Sequence, residues 1–97
     1  MPKIYISGAI TGTDDYMERF CAAEERVKSD SFEVVNPAKV NAMLPKSTSY
    51  EDYMKMSFCM IDMCDSIYML RDWTESNGAR MELEYAIANK KNIFFED

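Results

Sequence analysis

Lys3 to Ser7 (KIYIS) alternates in the two-residue rhythm of a short strand, and Gly8 ends it. The loop Gly8-Ala9-Ile10-Thr11-Gly12 follows. Thr13 or Asp14 can cap a helix whose apolar positions are Tyr16, Phe20, Ala23 and Val27. Offsets of four, three and four keep those positions on one helical face. Phe32 to Val35 reads as a second strand, stopped by Asn36-Pro37. Residues 36 to 49 are irregular, with one turn of helix near Lys39 to Met43. Ser49 can cap a helix from Tyr50 to about Met63, with Tyr53, Met56, Met60 and Met63 on its inner face. Ser66 to Leu70 is apolar enough for a strand buried on both faces. Gly78 to Asn89 forms a further helix with Ala79, Leu83, Ala86 and Ile87 inward, and Asn92 to Phe95 a final short strand.

The order is β-α-β-α-β-α-β, without repeat or linker, so residues 1–97 read as a single domain. Such alternation predicts an α/β fold in three layers, flavodoxin- or Rossmann-like. Its parallel sheet would have about four strands in the order 2-1-3-4, with helices on both faces. In such sheets the ligand crevice lies beyond the carboxyl ends of the strands. Three loops meet there: 8–14, 36–49 and 71–77. This arrangement brings Glu82 beside the Gly8–Gly12 loop, although 70 residues separate them.

Composition narrows the classes. At 97 residues the core is modest, which favours a homodimer or higher homo-oligomer. No apolar run approaches the roughly 20 residues of a membrane span. The start, MPKIYISG, has too short an apolar stretch for a signal peptide, so a cytoplasmic location and no membrane partner are expected. Eleven basic against 17 acidic residues give a formal charge of −6, which argues against a nucleic-acid polymer as partner. A small anion held by backbone N–H groups is still allowed. Cys21, Cys59 and Cys64 form no C-x-x-C pair and the chain has no histidine, so no metal or other cofactor is expected and the thiols read as buried. Six of the nine methionines lie between Met54 and Met81 and read as gap-filling core.

The chemistry concentrates between Asp65 and Ala88. Glu82 lies in the first turns of its helix, near free N–H groups and the positive dipole end. The same end can hold a phosphate. Ser76, Asn77 and Gly78 form the loop before it, shaped for close backbone approach. A carboxylate beneath such an anion site can attack the anomeric carbon of a bound sugar, as in retaining glycosyl transfer. The first loop, SGAITG, is a weaker signal: it has neither the G-x-G-x-x-G spacing nor a P-loop lysine. Asp62 and Asp65 read as solvated helix-end acids. Asp72 and Trp73 follow the third strand at its carboxyl end, where Asp72 can donate a proton and Trp73 can stack on a base. An ordinary surface loop, its tryptophan at an oligomer contact, explains the same pair.

Tyr5 in KIYISG, the Gly8–Gly12 loop, Asp65 before an apolar strand, and Ser76-x-Gly78-x-x-x-Glu82-Leu83-x-Tyr85-Ala86 together resemble the nucleoside 2-deoxyribosyltransferase superfamily. The nearest likeness is to its short phage- or prophage-type branch of unknown function. The 2′-deoxynucleoside 5′-monophosphate N-glycosidases are second relatives. The resemblance implies Glu82 as the nucleophile and Tyr5 as the residue that orients it or the sugar. It implies Ser76 as a 5′-phosphate ligand, with Gly8, Ile10, Thr11 and Gly12 lining sugar and phosphate. Ser7, just before that loop, is a further substrate-binding candidate. It also implies multimers whose pockets a neighbouring subunit completes.

One position departs. The enzymes carry an aspartate eight residues before the strand aspartate, and here that position is Ser57. A hydroxyl is no proton donor near neutral pH, and loss of a general acid costs on the order of 100- to 10,000-fold in rate. Asp72 is the candidate substitute. The expected function is therefore a nucleotide or nucleoside N-glycosidic hydrolase or deoxyribosyltransferase. The alternatives are a catalytically silent nucleotide-binding protein, sequestering or regulatory, and a structural protein that inherited the fold.

Overall fold

The computed structural model describes residues 2–97. Strand β1 (Lys3–Ser7) leads to helix α1 (Tyr16–Lys28), strand β2 (Glu33–Val35) and the short helix α2 (Pro37–Asn41). Helix α3 (Tyr50–Asp62), strand β3 (Ser66–Met69), a 3₁₀ turn at Trp73–Glu75, helix α4 (Asn77–Ala88) and strand β4 (Asn92–Phe95) complete the order. All strand pairs are parallel and the sheet order is β2-β1-β3-β4. This is the expected α/β architecture and strand order.

The sheet is covered on both faces. Tyr5, Ile67 and Met69 point into a cluster with Met60 and Ile61 of α3 and Ala79, Leu83 and Ala86 of α4. Ile6 and Leu70 point the other way, against Phe20 and Ala23 of α1 and Ala38 of α2. Two covered faces explain why β1 and β3 carry near-continuous apolar runs. Asp65 ties two strands together at their starts. Its carboxylate accepts from the Lys3 N–H at 3.0 Å, where β1 begins beside β3. Asp62 likewise accepts from the Tyr85 hydroxyl at 2.6 Å, joining α3 to α4.

Some local expectations are corrected. Neither Thr13 nor Asp14 caps α1; the cap position is Asp15, without a side-chain cap bond, and the Thr13 hydroxyl donates to the Ile10 carbonyl instead. The 36–49 segment is more ordered at its start than expected. Asn36 caps α2 by accepting from the Ala38 N–H, with Pro37 in the first turn, where its missing N–H costs nothing. On α3 the buried residues are Met54, Ser57, Met60 and Ile61; Tyr53 and Met56 are half-buried and Met63 is exposed. The α3 stripe is thus rotated so that a serine sits inward. Ile87 lies outside on α4, and Met63 and Met81 are exposed rather than core-filling. Of the three thiols only Cys64 is buried; Cys59 is exposed and Cys21 lies between.

A second buried carboxylate holds α1 to its neighbours. Glu24 accepts from the Asn36 amide and from the Lys28 and Lys39 ammonium groups, each at 3.0 Å. Burial works against its charge, but the combined bonds from Asn36, Lys28 and Lys39 win and hold its pKa at about 2.

Candidate active site

Beyond the carboxyl ends of β1 and β3 the fold leaves a cavity of about 560 Å³. Its walls come from the first loop, the start of α1, α2, α3 and the N-terminal turns of α4. Ser76 caps α4: its side chain accepts from the Ala79 N–H at 3.1 Å, so the helix begins at the cavity wall. Ser76, Asn77 and Gly78 all line the cavity, with Tyr5, Gly8, Ile10, Thr11, Ser57 and Glu82. The fold therefore gathers most of the residues singled out in the sequence.

Glu82 stands one turn into α4 and is only 7 % exposed. Ser7, at the end of β1, donates its hydroxyl to Glu82 Oε1 at 2.7 Å. Burial pushes the Glu82 pKa up to about 7, and the hydroxyls of Ser7, Ser57 and Tyr5 act against that rise. Tyr5 is fully enclosed. Its pKa is raised well above the usual phenol value, first by burial and then by the negative charge of Glu82. It therefore stays a neutral hydroxyl. The carboxylate is surrounded by three neutral hydroxyls and no cationic partner contributes to its titration. Such a carboxylate is weakly solvated and keeps its nucleophilic character when ionised.

Gly8 is required by crowding. A Cβ there would meet Leu70 Cδ1 at 2.8 Å and Leu70 Cβ at 2.9 Å. Leu70 is itself buried and cannot swing away. Gly8→Ala is expected to cost about 1–3 kcal/mol of stability, seen as a lower urea midpoint. A neutral result would mean that the first loop lies farther from β3 than described. Gly12, at φ +83°, serves the loop differently: it closes the turn in the left-handed region and does not line the cavity.

Besides Gly12, and Ser7, which bonds to Glu82 without lining the cavity, two further expected site residues lie elsewhere. The Asp72 carboxylate accepts from the Ala9 N–H at 3.2 Å and from Arg19 at 2.6 Å. Arg19 in turn donates to the Ala9 carbonyl at 2.9 Å. Asp72 thus clips the first loop to α1 and is not among the residues that line the cavity. Trp73 packs on Phe95 with ring centroids 5.9 Å apart, where it covers the sheet end and not the cavity.

Conversely, the cavity has walls that were not anticipated. Tyr50, Tyr53 and Met54 of α3, Tyr16 of α1, Asn41 of α2 and Glu75 all face it. Tyr50, Tyr53, Met54 and Ser57 fall at helical offsets of three, four and seven, so their shared face was available as a signal. Among the described residues no group of three or more His, Cys, Asp or Glu side chains is placed to hold a metal ion. No described helix is long and apolar enough to cross a membrane.

Comparison with known proteins agrees with this architecture. Among solved structures, a 2-desoxiribosyltransferase from Leishmania mexicana superposes with a TM-score of 0.73 at 21% identity. The match covers 98% of this chain but 63% of that one, so the chain spans under two thirds of that enzyme's length. The resemblance read from the motifs is thus upheld at the level of the fold. No curated protein matches the chain. A family model described as a domain of unknown function, DUF4406, matches residues 2–95. Covered by that model nearly from end to end, the chain belongs to the DUF4406 family.

Proposed function

We propose that this protein binds a nucleoside or nucleotide in the cavity and cleaves its N-glycosidic bond. The observation that carries this reading is Glu82, a buried carboxylate on the cavity wall, bonded at 2.7 Å to Ser7 and flanked by Tyr5 and Ser57. Its ionised form attacks C1′ of the sugar, and the bonding electrons leave with the base. Water or a second base then takes C1′ and frees the carboxylate. The N-terminus of α4, with Ser76, Asn77 and Gly78 on the wall, supplies N–H groups for a 5′-phosphate. The rings of Tyr16, Tyr50 and Tyr53 offer flat apolar surface to a base.

The test is free-base release from a panel of 2′-deoxynucleosides and their 5′-monophosphates. At least one substrate should be turned over, and Glu82→Ala should slow it by a factor on the order of 1,000 or more. Equal background rates for both proteins on every substrate would sink the catalytic reading.

A second reading is binding without turnover. Ser57, a hydroxyl where the resemblance expects an aspartate, and the engagement of Asp72 with Arg19 favour it, since neither is a free acid to protonate a leaving base. Under this reading nucleotides raise the melting temperature of the wild-type chain although no base is released.

A further inference from the structure

Strand β4 ends the sheet with an open, apolar edge. The N–H groups of Asn92 and Glu96 are given to the Asp65 and Met69 carbonyls of β3, at 3.0 and 2.9 Å. By the two-residue period of a strand, the N–H and C=O groups of Ile93 and Phe95 point the other way, off the sheet. No strand among the described residues lies beyond them. Phe94 and Phe95 stay 44% and 53% exposed, on opposite faces of this edge. Within Asn92–Phe95 the edge carries no proline, no bulge and no charged side chain; its charges lie only at the two ends.

The surrounding residues name the occupant. The segment Lys90-Lys91-Asn92-Ile93-Phe94-Phe95-Glu96-Asp97 is basic at one end and acidic at the other. Glu96 is already held by Arg26 and by the Arg71 N–H, which leaves Asp97 as the acid at that end. An antiparallel partner of the same sequence sets the basic end against this acid, whereas a parallel one sets like charges together. We propose that β4 pairs antiparallel with β4 of a second copy, joining two four-stranded sheets into one of eight. In the register centred on Phe94, Ile93 lies opposite the partner's Phe95 and the two exchange their outward hydrogen bonds. Phe94 meets the partner's Phe94 in the closer, non-hydrogen-bonded position. Lys91 falls opposite the partner's Asp97. No β4 residue lines the Glu82 cavity, so the pairing leaves that site open.

Sedimentation equilibrium over a concentration series tests this. The mass of the wild-type chain should rise toward twice 11.2 kDa as concentration increases. Phe95→Pro removes one outward donor and one exposed ring without touching a bond to β3, and should leave a monomer with an unchanged far-ultraviolet circular dichroism spectrum. Lys91→Glu and Asp97→Lys should each weaken the dimer, and the double exchange should restore it. That rescue decides the matter even if Phe95→Pro fails to fold. A wild-type monomer at every concentration overturns the proposal, and so does a dimer whose strength ignores the charge exchange.

Discussion

Glu82→Gln is expected to melt at a higher temperature than the parent chain above about pH 8, and at nearly the same temperature below about pH 4.5. The sign follows from the direction of the shift. The Glu82 pKa is raised from 4.5 to about 7 in the fold, so between those values the folded chain binds more protons than the unfolded one. The stability associated with the neutral carboxyl is complete below the unfolded pKa and is lost as pH rises through about 7. At about 1.4 kcal/mol per pKa unit, the loss is on the order of 3 kcal/mol. Glutamine keeps the shape and can still accept the Ser7 hydroxyl, but it has no charge to bury. Glu24 does not blur the comparison. Its pKa is held at about 2, so its contribution is present above the ordinary carboxylate range and fades only in acid, alike in both proteins. Melting curves of the pair across pH provide the measurement. A difference that does not grow with pH would show that Glu82 is not a buried acid. The same titration governs the proposed chemistry: base release should rise with pH through about 7 and then level off, because only the ionised carboxylate attacks.

The second large effect falls on α1. Phe20 is 0% exposed, packs with Ile6, Ala23, Ala38 and Leu70, and forms part of the cavity wall. Phe20→Ala is expected to cost about 3–5 kcal/mol, the lost burial plus the void it leaves. That is a large share of the roughly 5–15 kcal/mol of a typical domain. Urea unfolding followed by circular dichroism would show a lower midpoint at similar slope. Binding should weaken as well, because the wall between Tyr16 and the first loop loses its support. A loss below about 1 kcal/mol would mean that α1 is not seated on the sheet by this ring.

Local patterns in the chain determined which segments are strands and helices, and through their alternation the parallel sheet; the strand order is seen in the fold. Periodicity suffices there because a strand or helix with one wrong period cannot bury its apolar side. It also marked Glu82 and the Ser76–Gly78 loop at the entry to α4, because these lie within a few residues of one another; that Ser76 caps the helix is seen only in the fold. Rotation of helices and the partners of charged groups were not legible in this way. Ser57 lies buried on α3, where it bonds to Glu82, while Tyr53 and Met56 are only half-buried. Asp72 looked free to act on a base, yet Arg19, 53 residues earlier, claims its carboxylate. The Glu82 carboxyl is drawn up to about 7 only because strands and helices from the whole chain exclude water around it. Burial and long-range pairing are sums over neighbours that the folded chain alone brings together, so only the tertiary structure decided them.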